Sequence, residues 1–325
     1  MTPLGYVTYH MLLESYLASR VIRAKTENSY RASIRKLEYG LAHYCKATGL
    51  AYDNDASSLT TTRVLDWRKY ELSLGLAATS WNTHVRHLKA IFNHGIDMGL
   101  LLMEKNPFQK MAITSPKRKK KVLSNHQLSQ ARLFLSGERE LDEKGEDVGK
   151  LHPVWFWQTV FETFYYTGMR RNQLVHVKVK DVHLKKQLIN IRIEGSKTWR
   201  EYEIPISHQL MPHLEKLLSK ASLRGFKQED QLFNVNRFSE HPLERMSKVM
   251  SVDRVSNVFE YISKHLGMRI TPHRFRHTLG TDLMHEPERN LHLVKELLGH
   301  TDIRTTLEYV QADLNSIRSL LDNRA

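Results

Sequence analysis

Apolar residues recur at helical spacing along the first part of the chain. Within residues 25–49 they follow one another at steps of four, three, four and three, at Tyr30, Ile34, Leu37, Leu41 and Tyr44. This period is typical of the buried face of an amphipathic helix. The pattern therefore predicts a long helix with Thr26 as its N-cap and Gly49 just after its last turn.

A second long helix is predicted from about Ser80, where the same spacing repeats at Trp81, Val85, Leu88, Phe92 and Ile96. Shorter helices are predicted near 10–18 and 61–74. Together these elements make a bundle of four or five helices and about 100 residues, which is a common size for one domain. The bundle is predicted to end near Asn106 and Pro107.

The rest of the chain mixes helices with two short strands. Ser124 and Gln127 fit a capping box before a helix, and residues 135–151 are polar enough to predict a surface loop. The apolar run 153–168 predicts a buried helix that ends at Gly168, and residues 187–193 and 201–206 predict a β-hairpin. Further helices are predicted at about 252–266, 272–285, 291–298 and 302–320. The expected fold class is mainly α with a small β-sheet.

A run of five consecutive basic residues separates the two parts, at Lys117, Arg118, Lys119, Lys120 and Lys121. The five like charges repel one another and cannot form a core, so the run predicts an extended linker. The expected organisation is a helical domain at 1–114, a basic linker at 115–123 and a mixed α/β domain at 124–325.

The charge balance indicates a polyanionic partner. The chain carries 49 Lys and Arg against 35 Asp and Glu, a formal net charge of +14, and residues 1–121 alone hold 19 basic and 9 acidic residues. Nucleic acid is the commonest partner of such a surface. Cys45 is the only cysteine, which excludes an intrachain disulfide framework and a cysteine-based metal site. With neither a signal peptide nor an apolar run of membrane-spanning length, a cytoplasmic protein is expected, associated with the nucleoid and not with a membrane.

Three short motifs carry the candidate chemistry. They are YTGMRRNQL at 166–174, TPHRFRHT at 271–278 and LLGHTDIRTTLEY at 297–309. In the second, Thr271 can cap a helix that starts at Pro272, which places His273 and Arg276 on one face of its first turn. A helix N-terminus carrying an arginine and a histidine is suited to bind a phosphate.

These motifs resemble those of the tyrosine recombinases, also called phage integrases. The family's TG-x-R-x-x-E-L, H-x-x-R and LGH motifs, with a nucleophilic tyrosine nine residues after the last histidine, match Arg170, His273, Arg276, His300 and Tyr309. The family also places a lysine in the turn of a β-hairpin, and Lys197 stands there. The resemblance covers nearly the whole chain, and the N-terminal bundle looks like the family's core-binding domain. Helical pattern begins by about residue 9, so a member without a separate arm-binding domain is expected.

The resemblance implies a site-specific recombinase, from a mobile element or a chromosome, that cuts and rejoins DNA through a 3′-phosphotyrosine. Arginines and a histidine are then expected to stabilise the phosphate charge in the transition state. Tyr309 would attack, His273 would accept its proton, and His300 would be a further donor to the phosphate. Lys197 would give a proton to the leaving 5′-hydroxyl. No metal or other cofactor is expected.

The implied partner is double-stranded DNA at specific sites, bound by a homotetramer that assembles from monomers. Candidate DNA-binding residues outside the linker are Arg31, Arg35, His84 and His87. One position departs from the family pattern, because Gln173 stands where an acidic residue is usual. Two alternatives stay open at this point: relaxation of DNA like a type IB topoisomerase, and a catalytically silent DNA-binding regulator on the same fold.

Overall fold

The computed structural model describes residues 5–114, 121–196, 200–239, 247, 249–284 and 287–309, the last range without the side chains of 287–289. The chain divides into two compact units, Met1–Arg118 and Lys119–Ala325. Each unit has its own apolar core. Within the described ranges, no helix is both long enough and apolar enough to cross a membrane.

The first unit contains the four predicted helices, α1 (Tyr9–Ala18), α2 (Ala24–Thr48), α3 (Thr61–Ser73) and α4 (Ala78–Asp97). The predicted apolar stripes of α2 and α4 line the core, where Trp67 and Trp81 meet edge to face at 4.9 Å between ring centroids. Gly49 ends α2 in the left-handed conformation, as predicted. Thr26 is not the N-cap, because α2 already begins at Ala24 and the Thr26 N–H donates to the carbonyl of Arg23.

A polar seam runs between α2 and α4 inside this bundle. Ser33 Oγ lies 3.0 Å from the carbonyl oxygen of Ser29, 2.9 Å from His87 Nδ1 and 3.1 Å from His84 Nδ1. Since a hydroxyl has one hydrogen and the carbonyl can only accept it, both rings donate from Nδ1 to Ser33. The His87 ring also packs on Tyr30 at 4.6 Å between ring centroids.

His87 is therefore part of the interior, where Ser33 and Tyr30 supply partners for its ring. Little of the ring is exposed for the predicted contact with DNA. Burial lowers the pKa of His87, and Arg86 and His84 lower it further. Burial likewise lowers the pKa of the half-buried His84, with Lys36 acting in the same direction and Glu71 opposing it.

The second unit begins with a longer helix than predicted. Ser124 and Gln127 form the predicted capping box, but α5 runs over Asn125–Glu143, so the expected loop at 135–151 is wrong for its first nine residues. Leu135 is buried and extends the apolar face of the helix. Helix α6 (Val154–Thr167) is buried along most of its length and ends at Gly168 in the left-handed conformation, as predicted. The short helix α7 (Arg171–Leu174) follows at once.

A three-stranded antiparallel sheet follows α7, in the order β1 (Val182–His183), β2 (Leu188–Ile191) and β3 (Tyr202–Pro205). The pair β2 and β3 corresponds to the predicted hairpin, with Ile191 opposite Tyr202. Among the described residues, the short helix α7, the two-residue strand β1 and helix α8 (Met211–Leu223) were not predicted. The predicted position of Lys197 in the hairpin lies outside the described residues.

The C-terminal helices are α9 (Val252–His265), α10 (Pro272–Leu283), α11 (Pro287–Leu298) and α12 (Ile303–Leu307). Thr271 caps α10 by accepting a hydrogen bond from the backbone N–H of Arg274, as predicted. Asp302 caps α12, which ends at Leu307. Tyr309 therefore follows the helix and does not lie within it. Residues 310–325, including the rest of the predicted helix 302–320, lie outside the described residues.

Acidification should lower the free energy of unfolding of the first unit, because folding lowers the pKa values of His84 and His87. The unfolded chain takes up protons on histidine near pH 6.5, whereas the lowered pKa values of His84 and His87 delay uptake in the folded bundle. The free energy of unfolding should therefore be constant above about pH 6.5 and fall below it. Hydrogen exchange of α2 and α4 peptides between pH 7 and 5, corrected for intrinsic rates, measures this fall. His87→Gln should make it shallower, and the same change at the exposed His126 should not. Equal slopes in all three proteins would contradict the assignment.

Candidate active site

The three sequence motifs meet around the guanidinium of Arg276, which is 3% exposed. Its Nη1 donates to the carbonyl oxygen of Gly168 at 3.1 Å, and its Nη2 donates to that of Leu298 at 2.5 Å. Nη2 also donates to His300 Nε2 at 2.9 Å. One side chain on α10 thus joins the end of α6 to the end of α11.

Burial, with the nearby charge of Arg170 acting in the same direction, lowers the pKa of Arg276 to about 10, while Tyr309 and Tyr202 oppose the shift. A guanidinium with a pKa near 10 is still protonated at neutral pH. The site therefore keeps a buried positive charge, and Arg170 is close enough to act on it.

Arg170 contributes a second positive charge, for which the described residues supply no counterion. It is the N-cap of α7, and its Nη1 is buried without a hydrogen-bond partner among the described residues. Over the same part of the chain, neither Arg170 nor Arg276 forms an ion pair with a carboxylate. A buried donor left unpaired is costly, and two neighbouring guanidiniums without an acid favour an anionic ligand.

His300 accepts a hydrogen bond here, whereas the sequence analysis expected a donor. An arginine cannot accept, so His300 Nε2 must be unprotonated where it meets Arg276. The proton of the neutral ring is then on Nδ1, which lies 2.9 Å from the Oγ1 of the buried Thr306. Thr306 belongs to α12, so this bond also fixes the start of the segment that leads to Tyr309.

The Tyr309 side chain is buried, with 4% of its surface exposed. Its ring is parallel to that of His300, with centroids 5.9 Å apart, and 5.5 Å from that of His277. A Cβ on Gly280 would lie 2.7 Å from the Tyr309 ring, so only glycine leaves room for the ring at this position of α10. A hydrogen bond with Tyr309 contributes to the pKa of Arg276. The candidate nucleophile is thus held beside the candidate phosphate site.

His277, which is not one of the residues that match the family motifs, also lies near Tyr309. Its ring centroid is 4.2 Å from that of His273 and 5.5 Å from that of Tyr309. The signal that could have found it is its spacing, since residues four apart on a helix share a face and His273 and His277 are one turn apart on α10.

Gln173 occupies the position at which the sequence departs from the family pattern. It is 1% exposed, and its Oε1 accepts a hydrogen bond of 2.7 Å from the backbone N–H of Arg170. Its Nε2 donates to the hydroxyl of Tyr202 on β3 at 2.8 Å. Both ends of the amide are therefore used, and the residue holds Arg170 without placing a negative charge next to it.

The predicted DNA-binding residues are only partly described. Four of the five linker residues lie outside the described residues, namely Lys117, Arg118, Lys119 and Lys120, and so does Lys197. The fifth, Lys121, is exposed. Arg35 is exposed and His84 is half-buried. Arg31 forms ion pairs with the carboxylates of Glu14 and Glu27 at 2.6 and 2.8 Å. These carboxylates offset its positive charge and weaken its attraction for a phosphate.

No cluster of three or more histidine, cysteine, aspartate or glutamate side chains suited to a metal ion occurs in the described ranges. A groove of about 300 Å³ elsewhere in the second unit is lined by Trp155, His152, Asp142 and Lys220, among others, and contains none of the motif residues.

Comparison with known proteins agrees with the motifs. Residues 155–315 match the model of the phage integrase family. The chain is 40% identical over 320 residues to a putative tyrosine recombinase XerC of Pseudomonas aeruginosa and 36% identical over 321 residues to one of Pseudomonas syringae. These matches cover 98% of the chain and 72% and 64% of the two relatives.

Among solved structures, the fold matches that of the Tn1549 transposon integrase in complex with transposon right end DNA. The TM-score is 0.67 at 18% identity, over 98% of this chain and 99% of that one. Because one relative is 40% identical over 98% of this chain, the chain belongs to the tyrosine recombinase, or phage integrase, family.

Proposed function

We propose that this protein is a site-specific recombinase that cleaves and rejoins DNA strands through a 3′-phosphotyrosine. The observation that carries the proposal is the pair of guanidiniums beside a buried tyrosine. Arg170 is close enough to Arg276 to lower its pKa, Arg170 Nη1 has no partner among the described residues, and Tyr309 interacts with Arg276. A DNA phosphodiester supplies the anion that this space requires.

The arginines act on the charge that develops during attack. When an oxygen nucleophile adds to phosphorus, negative charge grows on the non-bridging oxygens. Arg170 can donate from its Nη1, which has no partner among the described residues, whereas Arg276 is already held in place by two carbonyls. Donors fixed in advance need no reorganisation in the transition state, and each such donor is worth about 10²–10³ in rate.

Tyr309 is the proposed nucleophile. Its oxygen bonds to phosphorus as the bond from phosphorus to the 5′ oxygen breaks. The phenolic proton passes to His273, with His277 as the ring adjacent to both. Lys197 gives a proton to the departing 5′ oxygen. The phosphotyrosine keeps the energy of the original bond, so a 5′-hydroxyl of another strand can reverse the step without ATP.

The two alternatives are less well supported than recombination. A silent regulator has no use for a tyrosine held against the phosphate-binding arginine, and Gln173 keeps Arg170 in place despite lacking a charge. Relaxation of DNA by one subunit uses the same chemistry. The family match and the 40% identical relative, a putative tyrosine recombinase, favour strand exchange.

We further propose a bipartite grip on duplex DNA, with 1–114 and 124–325 joined by the basic linker 115–123. Leu123, two residues after Lys121, donates its N–H to Thr278 Oγ1 on α10 at 2.8 Å, so the end of the linker is anchored to the helix that carries Arg276. Exchange of two duplexes needs four cuts and thus four active sites. A monomer that assembles into a homotetramer on nucleoid DNA in the cytoplasm meets that need.

Tyr309→Phe should abolish the covalent adduct and leave DNA binding intact, because the phenylalanine ring fills the same space over Gly280. The measurement is the SDS-resistant complex on a nicked suicide substrate that carries the DNA sequence protected by the protein. Tyr261→Phe, a matched change on α9, should form the adduct normally. An adduct with Tyr309→Phe would mean that another residue is the nucleophile.

Neutralising residues 117–121 should weaken binding to all DNA sequences alike, since these charges contact phosphates and read no bases. The slope of log affinity against log salt should fall by up to about four to five units if all five charges contact phosphate. Replacing five exposed basic residues of the second unit, such as Lys185, Lys186, Arg224, Lys227 and Lys264, is the control of equal charge. A slope unchanged by the linker substitutions would show that this run does not contact DNA.

Gln173→Glu should keep strand cleavage within about tenfold of the original rate. A carboxylate can accept from the Arg170 N–H as the amide does, and the Tyr202 hydroxyl can turn to donate to its second oxygen. Single-turnover cleavage of the suicide substrate measures the effect. If the original protein does not cleave the substrate and Gln173→Glu does, the result would instead support the silent regulator.

A further inference from the structure

Helix α10 presents a row of three residues to the candidate nucleophile. His273, His277 and Gly280 are spaced four and three residues apart, so they lie on one face of the helix. The Tyr309 ring rests on this face, because a Cβ on Gly280 would lie 2.7 Å from it. The ring centroid of His277 is 5.5 Å from that of Tyr309 and 4.2 Å from that of His273. His277 is therefore a neighbour of both the tyrosine and the other histidine.

The three rings lie at different depths below the protein surface. Tyr309 is buried, His277 is half-buried and His273 is exposed. A proton that leaves the Tyr309 hydroxyl has to reach water, and each group that carries it must be within hydrogen-bond reach of the next, directly or through one water. The His277 ring adjoins both the buried end and the exposed end of this route.

Two other polar groups next to Tyr309 are unsuited to take its proton. Arg276 forms a hydrogen bond with Tyr309, but a guanidinium can only donate. The ring of His300 is parallel to that of Tyr309, but its Nε2 accepts from Arg276 and its Nδ1 donates to Thr306. Both nitrogens of His300 are thus committed. Among these neighbours, the histidines of α10 are the groups that can accept.

We propose that His277 is a catalytic proton relay, which takes the hydroxyl proton of Tyr309 at one ring nitrogen and passes a proton from the other nitrogen to His273. The inference rests on the proposed function and deepens it. As the Tyr309 oxygen bonds to phosphorus, its proton moves to His277. The imidazolium then returns to the neutral ring by giving a proton to His273, which releases it to water. One nitrogen of a neutral imidazole accepts while the other donates, which suits it to this role.

A relay also avoids a third cation next to the phosphate-binding arginines. His277 directly follows Arg276 in the chain, and Arg170 is close enough to Arg276 to lower its pKa. A further positive charge in such surroundings is disfavoured. Transfer of the proton from His277 to the exposed His273 moves that charge into water, where it costs less.

The first test removes the nitrogens of His277 and keeps an aromatic ring against Tyr309. His277→Phe should slow single-turnover cleavage of the suicide substrate by about 10²- to 10⁴-fold, the usual contribution of a general base, and leave DNA affinity unchanged. His213→Phe changes another half-buried histidine, on α8, and is the matched control. It should cleave at the original rate.

Replacement of Tyr309 by 3,5-difluorotyrosine separates proton transfer from packing. Fluorine makes the phenol more acidic and changes its size little, so the nucleophile needs less help from a base. With difluorotyrosine at position 309, His277→Phe should slow cleavage by less than about tenfold. Arg170→Ala removes a phosphate-binding group and should slow cleavage by the same factor with either nucleophile.

His273 should act on the same path as His277. His273→Phe should also slow cleavage, and the double variant with His277→Phe should be within about threefold of the slower single variant. Residues that act as a unit have effects that do not multiply. If the two losses multiply, the histidines act independently and the relay is overturned.

A loss in His277→Phe that is as large with difluorotyrosine as with tyrosine would mean that His277 only packs against the ring, and would overturn the inference. A loss of less than about threefold with tyrosine would do the same. If His277→Phe is unstable in thermal unfolding, His277→Gln is the deciding variant under the same two criteria. The proposed function fails separately, when the unmodified protein forms no adduct through Tyr309.

Discussion

The active site depends on how a buried guanidinium is kept charged. Arg276 is 3% exposed, and removing a cation from water is costly unless other polar groups replace the water. The replacements are the carbonyl oxygens of Gly168 and Leu298, at the C-terminal ends of α6 and α11. The last carbonyls of a helix have no partner within it, and the helix dipole makes that end favourable for a cation. Two helix ends therefore converge on one arginine.

This manner of stabilisation leaves the charge available to a substrate. A carboxylate partner would hold Arg276 equally well but would neutralise the field that a phosphate needs. Gln173 follows the same rule next to Arg170, because its amide holds the backbone and Tyr202 without adding an opposing charge. Over the described part of the site, polar groups without net charge orient both arginines. The positive potential of Arg170 and Arg276 is therefore left available to an anionic ligand.

The sequence predicted most of the features whose causes are local, with the N-cap at Thr26 as an exception, and missed those that depend on distant partners. The caps at Ser124, Thr271 and Gly168 follow from side-chain and backbone chemistry within a few residues, and all three are confirmed. The inward turn of His87 depends on Ser33, which is 54 residues away, and no local pattern reports it. The stretch that begins at Leu135 was predicted to be a loop because most of it is polar, whereas α5 continues through it to Glu143 with Leu135 buried. The catalytic roles come from the family motifs and remain predictions. The structure adds which residues of these motifs are in contact with one another.

Tyr309 lies against the same uncharged and positively charged groups. Its interaction with Arg276 contributes to the pKa of that arginine, and its ring lies beside His277, His300 and Gly280. In the proposed reaction a phosphate would approach the guanidinium of Arg276, which already donates to two carbonyl oxygens. The phosphate would therefore compete with Tyr309 for the donors that are left. The same proximity would place the Tyr309 oxygen near the phosphorus, so the proposed mechanism links substrate binding to the release of the tyrosine.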